Sequence, residues 1–271
     1  MFLYIIRHGH PDYTTDTLLP DGIEQAKLVA RRMVLSGVDA IYASSMGRAI
    51  ETAAPTAEAL GLPVTVVDWA RELGKDCQTE FPDGKLKLVS KVPQNYLADK
   101  SYRGMSNEDA LEKIPGLCES GLPARYKNIA DGLDGMLREH GFCRNERGFY
   151  DVTEYSEKHI AVFCHNGMNR VIVSHLLNIP YQYLGSALSN QFTGVTVFYF
   201  NDGHRKLHPT PEYTEAHPEY EDAYGIIGRT RDHRHETGIP ETAPILASYG
   251  DIGHLYFDGD QNKYFISDTR I

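Results

Sequence analysis

Phe2-Leu3-Tyr4-Ile5-Ile6-Arg7-His8-Gly9 opens the chain and decides how the rest of it is read. Five consecutive apolar residues, rich in β-branched and aromatic types, predict a short strand buried on both faces. The run stops abruptly at an arginine, a histidine and a glycine. In an open α/β sheet ligands bind at the carboxyl ends of the strands. A guanidinium beside an imidazole at such an end points to capture of an oxyanion with a nitrogen nucleophile close by.

Distant segments repeat the arrangement. Ile160-Ala161-Val162-Phe163-Cys164 is a second apolar strand, ending at His165-Asn166-Gly167 and followed by the helical pattern of Val171-Ile172-Val173 to Leu176-Leu177. Ile41-Tyr42-Ala43-Ser44-Ser45 ends in hydroxyl residues and enters a helix carrying Arg48. Val64-Thr65-Val66-Val67-Asp68 leads to Arg71-Glu72-Leu73. A first helix is predicted with Asp21 as N-cap, with Ile23, Ala26, Leu28, Val29 and Met33 at helical spacing and an end near Ser36-Gly37. The second runs from about Met46 to Leu60, with Pro55 expected to kink or split it. Strands alternating with helices predict an α/β three-layer sandwich: a mostly parallel central sheet flanked by helices.

Composition narrows the function classes. The 271 residues are 41% hydrophobic and 24% charged, ordinary for a soluble domain. No apolar run approaches the roughly 20 residues that span a bilayer, and the N-terminal stretch is too short and lacks the basic flank of a signal peptide. A cytoplasmic location with no membrane partner is the expectation. The net charge of −10 disfavours nucleic acid, which requires a basic surface. A few arginines still suffice for a local anion pocket. Cys77, Cys118, Cys143 and Cys164 lack metal-type spacing, so free thiols are expected.

Several of these blocks resemble the histidine phosphatase superfamily, in its phosphoglycerate-mutase-like branch. They are Arg7-His8-Gly9, Leu19-Pro20-Asp21-Gly22-Ile23-Glu24-Gln25-Ala26, and the stretch from Ile41 to Ala53. Glu72, Cys164-His165-Asn166-Gly167, a strand from Val195 to Phe200, and Tyr249-Gly250-Asp251-Ile252-Gly253-His254-Leu255 complete the set. The order and spacing carry the resemblance more than any one block. It implies a single domain over residues 1–271, with a specificity-bearing cap inserted at 73–157. Within 73–157 a helix is predicted from about Pro123 to His140, with Ile129, Leu133, Met136 and Leu137 on one face. Residues 201–244, rich in Pro, His, Glu and Tyr, read as a surface excursion.

The chemistry follows from residue types placed by that resemblance. His8 is the expected nucleophile, since a neutral imidazole nitrogen can attack phosphorus and form a phosphohistidine. Arg7 and Arg48 form a clamp whose planar forks match phosphate oxygens. His165 is expected to donate to the phosphoryl oxygens opposite His8, and the helix start at Asn166-Gly167 to add backbone donors. Glu72 is the expected general acid and base, with Asp76 and Glu80 as neighbouring competitors.

Three positions depart from the family pattern. His10 replaces the usual Glu or Gln, Thr14 the usual asparagine, and Asn166 the usual glycine after the second histidine. Thr14 and Asn166 are retained as expected phosphate-binding residues. His8-x-His10 and the histidines of 204–235 lack a tight ligand pattern, so no metal and no cofactor are expected. The expected activity is metal-independent hydrolysis of a small phosphomonoester, with that substrate or inorganic phosphate as partner. A 2,3-bisphosphoglycerate-dependent mutase and a noncatalytic phospho-ligand binder are the alternatives. The mutase is disfavoured because 73–100 lacks arginine-rich character.

Overall fold

The structure, a computed structural model, describes residues 1–80, 84–89, 100–154, 156–185, 187–200 and 241–256. Its frame is a six-stranded sheet: β1 (Phe2–Arg7), β2 (Ala40–Ser44), β3 (Val64–Val67), β4 (His159–Cys164), β5 (Val195–Tyr199) and β6 (Ile245–Asp251). Their order across the sheet is β6-β5-β1-β4-β2-β3. β1, β4, β2 and β3 run parallel, while β5 and β6 are antiparallel to their neighbours. The carboxyl ends of β1, β4 and β2 therefore stand side by side, and the expected mostly parallel sheet is what forms.

The apolar run of β1 is explained by burial on both faces. Leu3 and Ile5 join Ile160, Val162 and Cys164 in one core cluster; Tyr4 and Ile6 join Ile41, Ala43, Ala161 and Phe163 in the other. This alternation is the two-residue period of a strand applied to a sheet with two covered faces. Truncating fully buried Ile5 to alanine costs about 2–5 kcal/mol of stability on the scale of such core deletions.

Helices α1 (Pro20–Leu35) and α2 (Gly47–Leu60) cover the second face through Val29, Met33 and Ala53. Two expectations about them need correction. Asp21 is not the N-cap of α1: Leu19 is, with Pro20 in the first turn where its fixed φ fits and its missing N–H costs nothing. Of the two effects expected of Pro55, splitting does not occur: one helix continues through it. The helix is held there by the burial of Ala49, Thr52, Ala53 and Thr56 along its inner side.

On the first face lie α3 (Asn107–Lys113), α4 (Leu122–Glu139), α5 (Asn166–Leu177) and the short α6 (Tyr181–Leu184). The inner side of α4 buries Ile129, Leu133, Met136 and Leu137 in the same cluster as Leu3 and Ile5. So α4, although it lies within 73–157, belongs to the layer that covers the sheet. Before it, Gln78–Glu80 pairs antiparallel with Leu86–Leu88. Of the stretch 201–244, residues 201–240 lie outside the described residues; Glu241–Thr242 pairs with Tyr150–Asp151. All four cysteines are free thiols. Among the described residues no helix is long and apolar enough to cross a membrane.

Candidate active site

His8, Ser44 and His165 emerge at the three adjacent carboxyl ends of β1, β2 and β4. His8 continues the ladder, its N–H donating to the Cys164 carbonyl at 2.9 Å. Its imidazole lies 5.2 Å, centroid to centroid, from that of His165, and both rings are buried. The turn beyond His8 is sharp because two backbones touch. A Cβ on Gly9 would sit 2.6 Å from the Gly22 carbonyl oxygen, and one on Gly22 2.1 Å from that of His10. Both glycines of the first two motifs are thus explained by one close approach, which seats the start of α1 against the His8 turn.

The protonation of His8 follows from its partners. Burial pushes its pKa well below the ordinary imidazole value, and the Arg7 and Arg48 charges push it further. Nδ1 lies 2.7 Å from the Gly9 carbonyl oxygen, which can only accept, so the neutral ring carries its proton there. Nε2 is left with its lone pair. His165 is likewise held well below the usual range, by burial first and then by His8, Arg48 and Arg7. Its Nε2 lies 2.8 Å from the Ser44 hydroxyl, and its Nδ1 is buried without a protein partner. The Ser44 oxygen already accepts the Met46 N–H at 3.3 Å. When the Ser44 hydroxyl donates to Nε2, the neutral His165 ring carries its proton on the unpartnered Nδ1.

The two arginines are held from different sides. Arg7 donates Nη1 to the Asn190 carbonyl at 2.5 Å, and its Cζ lies 4.2 Å from the centre of the Phe192 ring. Arg48, buried on α2, donates Nη1 to Asp16 and lies 5.4 Å from the Tyr13 ring centre. Asp16 also accepts the Gly47 N–H at 2.7 Å, so one carboxylate fixes both the start of α2 and the arginine. Thr52 ties the two halves together. It accepts the Gly9 N–H at 3.0 Å and donates to the Arg48 carbonyl at 2.6 Å.

Glu72 sits at the amino end of α5. Its Oε1 accepts the Leu73 and Met168 N–H groups at 2.9 and 3.0 Å, and its Oε2 accepts Gly167 at 3.1 Å. The first amides of α5 are therefore spent on the carboxylate; they were expected to face phosphate. A helix N-terminus favours an anion in either case. Asn166 accepts the Asn190 N–H at 3.0 Å and so braces the loop that holds Arg7. Thr14 stands apart from the cluster: it is exposed, and its hydroxyl and amide both donate to Asp12, two residues back, at 2.6 and 2.8 Å. That local turn satisfies it without any ligand. His10 pairs with Asp21 at 2.6 Å and stacks on Phe192.

Arg7, His8, Arg48 and His165 lie close enough for their charges to act on one another, and Glu72 sits on the first turn of the helix that follows His165. Ser44, Thr52, Asp16, Asn190 and Phe192, which contact these residues, are not singled out by the sequence. Ser44 and Thr52 lie inside the quoted block from Ile41 to Ala53, so the signal was present there. Among the described residues no group of three or more His, Cys, Asp or Glu side chains is placed to hold a metal ion.

Four buried histidines make stability depend on pH. His8, His165, His140 and His254 all have lowered pKa values, in each case chiefly through burial, and His254 is pushed down to about 4. The unfolded chain therefore binds more protons than the folded one below about pH 6.5, and stability falls as pH drops from there. His254 alone contributes a loss of about 2 kcal/mol at pH 5. Denaturant melts at pH 7.5 and pH 5 check this; equal midpoints would contradict the neutral assignment.

Comparison with known proteins agrees with the geometry. The family model described as histidine phosphatase superfamily (branch 1) matches residues 3–79. A Hydrogenobacter thermophilus protein described as a candidate phosphoserine phosphatase 2 is 34% identical over 141 residues, covering 47% of this chain and 70% of the relative. The phosphoserine phosphatase of Entamoeba histolytica, solved as a mutant with phosphoserine, superposes with a TM-score of 0.55 at 18% identity, covering 94% of this chain and 98% of that one. The same enzyme with 3-phosphoglyceric acid gives 0.54. At that identity the two structures speak for the fold alone.

Proposed function

The chain belongs to the histidine phosphatase superfamily, and on that premise we propose that it hydrolyses phosphate monoesters of small metabolites through a phosphohistidine on His8. The observation that carries the reading is the 2.7 Å contact between His8 Nδ1 and the Gly9 carbonyl oxygen. A carbonyl holds the proton on Nδ1, leaving Nε2 as the nucleophile beside two arginines and a second neutral histidine. Nε2 attacks phosphorus as the ester P–O bond breaks. Arg7, Arg48 and the His165 Nδ1–H stabilise the charge on the phosphoryl oxygens, the main demand of phosphoryl transfer.

Glu72 gives a proton to the departing alkoxide and later takes one from the water that cleaves the N–P bond. Its Oε2 accepts one amide where Oε1 accepts two, so Oε2 is the oxygen with room for a proton. Metal is not required in this scheme, because the arginines supply the positive charge. The name borne by the Hydrogenobacter relative supports phosphoserine as a first substrate to try, with other small phosphorylated acids after it.

The test is phosphate release from a panel of phosphomonoesters with EDTA present. Release that the chelator leaves unchanged is the expected result. Activity that disappears with EDTA, or absence of release from every ester, would contradict the proposal.

A further inference from the structure

Among the described residues three non-glycines have positive φ: Asp16, Asn178 and Thr193. Asp and Asn tolerate that region; threonine does so badly, because its branched Cβ crowds the neighbouring carbonyl. Thr193, at φ 54°, is fully buried in the loop 190–194 that leads into β5. Strain at such a place persists only when surrounding contacts impose it, and it concentrates at functional sites.

The contacts are identifiable. The Thr193 hydroxyl donates to the Phe192 carbonyl at 2.8 Å, so its oxygen must accept from His254 Nε2, 3.0 Å away. His254 is buried in the short helix Gly253–Tyr256 that follows β6. That helix is tied down by Asp251, which accepts the Gly253 N–H at 2.8 Å and pairs with Arg32 of α1 at 2.8 Å. On its other side the loop wraps Arg7 and His8. The Gly194 carbonyl accepts the Arg7 N–H at 3.1 Å, and the Thr193 N–H donates to the His8 carbonyl at 3.2 Å. The Phe192 ring is 4.2 Å from the Arg7 guanidinium carbon and 5.8 Å from the His8 imidazole.

We propose that Thr193 and His254 are positioning residues for the phosphoryl-transfer centre. His254 holds the strained Thr193 turn, and that turn keeps the Phe192 ring against Arg7 and beside His8. The inference rests on the reading of His8 and Arg7 given above. An aromatic ring against a guanidinium restricts its orientation, which a bidentate phosphate contact requires. Small misplacements of such a group reach rate losses of about 100-fold.

The test compares His254→Ala with His254→Gln, and Thr193→Ala with Thr193→Ser, in the full chain. Three quantities are read: the Kd for inorganic phosphate by calorimetry, kcat and KM for the best ester, and Tm. Glutamine can present an N–H where Nε2 stood, and serine retains the hydroxyl. Both alanine variants should weaken phosphate binding and lower kcat/KM roughly 10- to 100-fold. The glutamine and serine variants should recover most of both. Phe192→Leu should weaken phosphate binding likewise, and it serves as the readout should His254→Ala not fold.

Alanine variants with wild-type Kd and kcat overturn the inference. So do losses that simply follow Tm and are not rescued by glutamine or serine, and so does an unchanged Kd in Phe192→Leu. A wild-type chain that turns over normally in these cases leaves the catalytic reading intact. A wild type that neither binds phosphate nor hydrolyses any ester removes both.

Discussion

Replacing His8 with alanine should abolish turnover while leaving phosphate binding largely in place. With its Nδ1 on the Gly9 carbonyl, the His8 ring keeps the Nε2 lone pair for phosphorus, and the ring lies beside His165 within reach of the Arg7 and Arg48 charges. Loss of a covalent nucleophile is typically worth about 10⁴–10⁶-fold in kcat. Arg7 and Arg48 remain in the variant, fixed by Asn190 and Asp16, neither of which depends on the imidazole. The pattern to measure is therefore a collapse of kcat with a phosphate Kd within a few-fold of wild type. A variant that retains more than about a tenth of the wild-type kcat would contradict the assignment.

The second large effect concerns Glu72 and is read best from two variants together. Glu72→Gln removes the transferable proton, worth about 10²–10⁴-fold when a leaving group needs protonation. It also sets an amide NH₂ against one of the three backbone donors around the carboxylate, leaving a buried donor unsatisfied at about 1–3 kcal/mol. Rate and stability thus both fall, which alone would be ambiguous. Gly167→Ala separates them, because it keeps the carboxylate and moves it. The new methyl would stand 2.6 Å from Oε1 and 3.2 Å from Leu73 Cδ1, and the side chain must give way. Both variants should lose most on alkyl esters and least on aryl esters, whose leaving groups depart without a proton. Equal loss across the leaving-group series would remove Glu72 from the role of acid.

What the sequence made legible was whatever periodicity and order encode. The five-residue run ending at Arg7 and the matching run ending at His165 could be read as parallel strands because both faces of the sheet are covered. Once those strands are parallel and adjacent, their histidines must meet. Helix α2 placed Arg48 near them for the same reason. The supports of these residues were hidden because they are contacts between loops, which no local pattern records. Asp16 reaches Arg48 from the turn before α1, and Ser44 reaches His165 across 121 positions. Phe192 lies in a loop with no period at all. The Thr14 hydroxyl was not legible either: its direction is set by Asp12, two residues back, and not by its place after the first strand. Asp21 was read as a cap from its type alone; Pro20 fixed the helix start ahead of it and left the carboxylate to His10.

The central claim is that phosphate passes through a covalent bond to His8, and the most direct measurement is to trap that bond. The wild-type chain would be mixed with phosphoserine or the best ester from the panel, quenched in denaturant at alkaline pH within one turnover, digested and analysed by mass spectrometry. The account predicts one added phosphoryl group on the peptide containing His8, stable in base, lost on acidification and absent from His8→Ala. A phosphoryl group on another residue, or turnover with none trapped and inversion at a chiral phosphorus, would contradict it.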